Sequence, residues 1–217
     1  METENLVNVG TVVNVTGNQY PDNSQQPFAL GRHGDLAVSE VHGKYYSAAK
    51  RGNLFIGSSL IAGVALPVNA TTLVSKFTLW NPLGSNKDVE LVEFGIGIDS
   101  GTEVINGLAV GFQRQVSVAG VPTSLTAAAG GQVNPYTGAS SLANLYSAAT
   151  LTNAAVLGPL MGMGINFDAT TVGMRGMGTY AFDGKIVVPP DTLVTFVSTV
   201  AAITAAFCSI VWTEWNI

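Results

Sequence analysis

From Gln115 to Phe167 the chain carries no Asp, Glu, Lys, Arg or His. Loops that face water on all sides are dressed with charge, so a stretch this long, rich in Ala, Gly, Thr and Asn, must be covered by something. The rest of the chain follows the same trend: 11% of its residues are charged, against about 25% in ordinary globular domains. The pattern predicts surface covered by neighbouring subunits, and therefore assembly rather than chemistry.

A chain of 217 residues lies in the range of all-β sandwiches and barrels that form one domain. The hydrophobic content of 47% raises a membrane question, because Thr192 to Thr213 is uncharged over a spanning length. Its β-branched texture, its seven Ser and Thr residues and the absence of a basic flank read instead as two strands. Gly57, Gly63 and Pro67 likewise break the uncharged run from Leu54 to Val74. Met1 to Asn5 shows no basic segment leading into an apolar core, so no secretory signal is expected there. With fourteen acidic against nine basic residues, the net charge of -5 disfavours nucleic acid as a partner.

Residues 1–42 read as an extended N-terminal arm, and residues 43–217 as the β-sandwich domain. Val7 to Val9 and Val12 to Val15 have the texture of strands that add to a partner's sheet, whereas Asn18 to Phe28, with Pro21 and Pro27, is expected to wind along a surface. A frayed terminus is the alternative.

Beyond Thr72 apolar residues alternate. Leu73, Phe77 and Leu79 share one face, Asn81 to Asn86 supplies a turn, and Val89 and Leu91 resume in one phase before Val92, Phe94, Ile96 and Ile98 continue in the other. A slip of one residue is the signature of a β-bulge, which predicts one near Leu91 and Val92. Ile105 to Val118 predicts one or two strands, and Lys185 to Val188 a strand stopped by Pro189 and Pro190. The closing hairpin is expected to pair Leu193 to Thr199 with Ala205 to Trp215. Phe207, Val211 and Trp215 fall on one face of its second arm, and Cys208, Ile210 and Trp212 on the other, as where both faces are covered. Ser141 to Ala149 has helical apolar spacing behind a Ser cap, with a strand as the alternative. Gly158 to Gly178, with its methionines, predicts a pliable loop, since it lacks the lysine of a phosphate loop.

Chemistry-bearing residues are few. Arg32, His33 and Asp35 are neighbours in sequence with no Ser or Cys nucleophile motif, so a polar contact to a partner, with His42 and Lys44 nearby, is the better reading. His33, His42 and the lone Cys208 do not space a zinc site, and no cofactor or metal is expected. Asp88, Glu90, Glu93, Asp99 and Glu103 concentrate acid, but the slip in phase is expected to scatter them over both faces. No catalytic constellation is present, and the chain reads as a non-enzyme. Tyr20, Phe28, Arg32, His33, Tyr45 and Trp215 are the candidate interface residues.

Five segments carry a family resemblance: His33 to Ser39, His42 to Tyr46, Leu79 to Ser85, Val187 to Pro190 and Val211 to Glu214. Together they resemble virion structural proteins of tailed bacteriophages, among them jelly-roll proteins that decorate the capsid. The resemblance runs from residue 32 to the end and transfers no active-site pattern. It implies a jelly-roll-like antiparallel β-sandwich that forms a homotrimer and binds the major capsid protein. Such a protein is made in the host cytoplasm and sits on the outer capsid surface as a cement or decoration protein. A receptor-binding or tail-fibre head domain and a jelly-roll major coat protein are the alternatives.

Overall fold

The computed structural model describes residues 9–11, 25–27, 43–59, 63–67, 74–75, 77–100, 106–114, 116–119, 123–127, 132–151, 156–165, 177–199 and 203–217. In chain order the strands are β1 Val9–Thr11, β2 Gln25–Pro27, β3 Leu54–Ser58, β4 Val64–Leu66, β5 Val74–Ser75, β6 Thr78–Asn81 and β7 Lys87–Ser100. They continue as β8 Asn106–Arg114, β9 Thr123–Ala127, β10 Asn144–Thr150, β11 Val156–Ile165, β12 Met177–Val188, β13 Thr192–Ser198 and β14 Ile203–Asn216. Two short helices, α1 Tyr46–Lys50 and α2 Val116–Ala119, interrupt them.

The strands form two stacked antiparallel sheets. In the five-stranded sheet the order is β12-β7-β14-β3, with β4 also on β14; in the seven-stranded sheet it is β11-β8-β13-β6-β10-β5, with β9 also on β10. Eight of these strands nest. β3 pairs with β14, β6 with β13, β7 with β12 and β8 with β11, so the first strand meets the last, the second the seventh, the third the sixth and the fourth the fifth. That nesting is the jelly roll, a sandwich of two Greek keys. Strands β5, β9 and β10 extend the second sheet beyond β6.

Inward-facing residues of both sheets meet in one apolar core. The Phe94 and Phe196 rings stack at 4.0 Å across the sandwich, and Phe77 packs against both. Asn81 ties the layers at one end, donating from Nδ2 to Lys87 O at 2.7 Å and Val188 O at 2.8 Å. Cys208 is buried in the core, and desolvation pushes its thiol far above its ordinary pKa.

The phase slip in β7 is a bulge. Opposite it on β14, Val211 pairs with Glu93 and Trp212 with Leu91, leaving Val92 as the extra residue. The bulge returns Phe94 and Ile96 to the core, as the alternation predicts. It also returns Glu93 to the outer face, which corrects the expected scatter: Asp88, Glu90 and Glu93 share one side of β7, whereas Asp99 has no described side chain and Glu103 lies outside the described residues.

Four further expectations are corrected. β13 and β14 do not form a hairpin: β13 pairs with β6 and β8, β14 with β3, β4 and β7, and the link between them crosses from one sheet to the other. The two strands are each apolar enough to be central, and a central strand takes two neighbours of its own. Ser141 to Ala149 is not helical but leads into β10, where Leu145, Ser147 and Ala149 continue the burial of Ala143 at period 2, and pairing with β6 and β9 overrides the helical spacing. The glycine- and methionine-rich segment supplies strand β11 and the start of β12, with Pro159 lying at a register shift, and residues 166–176 are outside the description. Ile105 to Val118 gives β8 followed by α2 rather than strand throughout.

Of the expected arm only a small ladder is described, in which Val9 faces Pro27 and Thr11 faces Gln25. Pro27 therefore ends a strand of a two-stranded ladder, in which each strand is an edge that tolerates proline, rather than lying in a winding segment. Among the described residues no helix is long and apolar enough to cross a membrane.

Candidate interaction surface

The two sheets differ in how their outer faces are covered. Every residue of β13 is buried on both sides of the seven-stranded sheet, and Val116 and Leu151 pack with Leu193 and Trp80 on its outer side. Part of the uncharged stretch is thus covered within the chain, since it supplies α2, β9, β10 and β11. Its tip still faces solvent, with Pro135 to Ser140 and Leu142 exposed.

The outer face of the five-stranded sheet is open. Pairing sets its rows: Thr179, Gly95, Ser209 and Ser58 lie side by side, then Ala181, Glu93, Val211 and Ile56, then Val187, Glu90, Thr213 and Leu54, with Trp215 beside Asp88 at the end. Phe207 is 43% exposed, Val187 52% and Trp215 38%. Gly95 sits under Ser209 in the first row, where an added Cβ would stand 2.5 Å from Ser209 Oγ. This arrangement corrects the expectation that both faces of β14 are covered. Cys208, Ile210 and Trp212 are buried as read, while Phe207 and Trp215 reach solvent.

Lys44 and Tyr45 are drawn onto this face. In β12 the Asp183 and Gly184 backbones both take positive φ, 50° and 77°, which Asn, Asp and Gly tolerate. The ladder shifts there between Ala181 and Ile186, and the bulge presents the Asp183 carboxylate. Lys44 Nζ donates to it at 2.7 Å and Tyr45 Oη at 3.1 Å. The Lys44 hydrogen bond, and then that of Tyr45, hold the Asp183 carboxyl below its usual pKa. The attraction is complete above the ordinary Asp value and fades as pH falls through the lowered one. Next to it, Gly184 has no room for a side chain, because a Cβ would collide with the Glu90 carboxylate. Glu90 Oε2 in turn accepts from Trp215 Nε1 and Thr213 Oγ1, both at 3.1 Å.

From Tyr45 the chain enters α1, which ends in a Schellman motif: Gly52 takes φ 78°, Gly52 N–H donates to Ala49 O and Asn53 N–H to Ala48 O. Asn134 fixes α1 to β3, its Nδ2 donating to Ala49 O at 3.0 Å and Leu54 O at 2.7 Å. Residues 44–50 therefore reach from the β12 edge to the β3 edge, and the outward-facing Thr213 beneath them is buried. Lys50 Nζ lies 3.8 Å over the ring of Tyr136, an exposed aromatic of the uncharged tip.

Glu214, 2% exposed, anchors the tip from below. Its carboxylate accepts from Ser141 Oγ, from Leu142 N–H at 3.2 Å, from Ala143 N–H at 3.1 Å and from Trp212 Nε1 at 3.2 Å.

Of the six candidate interface residues, Tyr20, Phe28, Arg32 and His33 lie outside the described residues. Tyr45 uses its hydroxyl within the chain, and Trp215 stands at the end of the open face. Asp183, Val187 and Phe207 were missed, although Asp-Gly inside an apolar alternation is a turn signal that marks the bulge. Among the described residues no three His, Cys, Asp or Glu side chains gather as a metal set.

No family model matches the chain, and no curated protein does. A solved chain described as "KBV activated particle at acidic pH" is similar at 12% identity, covering all of this chain and 87% of that one, with a TM-score of 0.18. A TM-score at that level carries no likeness of fold.

Proposed function

We propose that this chain is a virion structural protein that acts by binding, without catalysis: a cement or decoration protein holding the outer surface of a tailed-bacteriophage capsid as a homotrimer. The observation that carries the reading is the outer face of the five-stranded sheet, which exposes Phe207, Val187 and Trp215 among the carboxylates of Glu93 and Asp183, in a jelly roll whose strand β13 is buried on both sides. Jelly rolls serve widely as capsid and lectin domains. One edge of each sheet is a poor contact site, since β11 carries Pro159 and register shifts and β12 the Asp183 bulge, features that blunt strand-to-strand pairing. The net charge of -5 turns the protein away from packaged nucleic acid.

The arm is for attachment. Deleting residues 1–30 is expected to leave the melting temperature within a few degrees, because few apolar side chains are lost with them. Co-sedimentation of the shortened protein with assembled capsids of the encoding virus should fall strongly against the full chain. Equal binding, or failure to fold, overturns the arm's role. Full-length protein that ignores capsids but binds host cells would identify a receptor-binding head domain instead.

A further inference from the structure

A closed trimer joins two different patches of each subunit, because a threefold axis sets one patch of a copy against another patch of the next. Two exposed patches adjoin in this chain, one on either side of β3. The first is the outer face of the five-stranded sheet, where Phe207 is 43% exposed and Glu93 stands exposed between Ala181 and Val211. Lys44 offsets Asp183, but Glu93 has no ion-pair partner among the described residues, and Asp88 and Glu90 lie on the same side of β7. Laid against a copy of itself, this face would bring acid towards acid.

The second patch is the tip beyond the β3 edge. Tyr136 is 56% exposed and Leu142 51%. Residues 132–142 contain no acid, so the charge here is set by Lys50 and the exposed Arg51 at the end of α1. Arg51 stands where α1 meets the tip, since a Cβ added to the next residue, Gly52, would lie 3.6 Å from Thr137 Oγ1. The tip is held in one shape: Asn134 Oδ1 accepts from Tyr136 N–H and Thr137 N–H, while Val133 bridges to Ile56 of β3. A patch fixed before contact loses little freedom on binding.

We propose that the tip of one subunit docks on the outer face of the next, with Arg51 paired to Glu93 of the neighbouring copy. The inference rests on the homotrimer of the proposed function and names the two patches that close it. Tyr136 and Leu142 supply the apolar side of the tip, Phe207 and Val211 that of the face, and the opposite charges set the register.

Charge exchange tests the contact, read by sedimentation equilibrium of the full chain. Glu93→Arg and Arg51→Glu each set like charges together, and each is expected to raise the concentration of half-dissociation about tenfold or more, with the circular dichroism of the fold unchanged. Combining the two restores an opposite pair between copies and should regain most of the native association. Glu93→Gln, which removes only the charge, should weaken association in the same direction and carries the test should a reversal disturb folding. Single variants that associate as tightly as the native chain, or a combined variant no better than the singles, overturn the contact while leaving the trimer standing. A native chain that stays at 22.4 kDa removes trimer and contact together.

Discussion

Replacing Trp212 by alanine is expected to cost about 3–5 kcal/mol, a large part of the total stability of a domain. Trp212 is fully buried and stacks on Phe55 at 6.0 Å, and its indole N–H donates to Glu214. Truncation opens a cavity at the junction of β3 and β14 and removes one donor from a buried carboxylate. In a thermal melt the loss should appear as about 6–20 °C, at about 2–4 °C per kcal/mol for a chain of this size. Trp215→Ala is the contrast. Trp215 is 38% exposed and bonds only to Glu90 and Thr213 on the outer face, so its loss should lower the melt by no more than a few degrees. Equal effects of the two variants would contradict the inward and outward assignment of β14.

Glu214→Ala should also be damaging, because it leaves buried donors unpaired. The side chain is one carboxylate collecting four donors, three of them on the uncharged tip at Ser141, Leu142 and Ala143. Alanine would strand those donors under the sandwich, where each unpaired buried group costs about 1–3 kcal/mol unless water enters. Glu214→Gln keeps one acceptor oxygen and is expected to recover part of the loss. Denaturant midpoints of the two variants check this, and an alanine variant as stable as the native chain would show that the tip is not held from below.

Much of the fold was legible because alternation reports which face a residue takes. The one-residue slip at Leu91 and Val92 located the bulge, Pro189 and Pro190 ended β12, and the phase of Cys208, Ile210 and Trp212 chose the buried tryptophan. Alternation does not report which strand lies alongside. Leu193 to Thr199 and Ala205 to Trp215 look like hairpin arms in sequence, yet the short link between them crosses the sandwich, and no local pattern distinguishes a crossing from a turn. Ser141 to Ala149 satisfied both periods, and only its neighbours β6 and β9 decided between them. The uncharged stretch predicted cover by neighbouring subunits; within the chain, Val116, Ala143, Leu145 and Leu151 of that stretch are buried while Pro135 to Ser140 are exposed. The open surface lies instead on the five-stranded sheet, where Glu93 and Ser209 break up the apolar residues in sequence while pairing gathers Ile56, Val211, Phe207 and Trp215 on one side.

The central claim is that a molecule with this open face assembles, and the mass of the purified chain in solution tests it most directly. Light scattering at tens of micromolar, a range in which specific interfaces of ordinary size are normally occupied, should return three times the 22.4 kDa of one chain. A mass of 22.4 kDa that persists across that range would contradict the account.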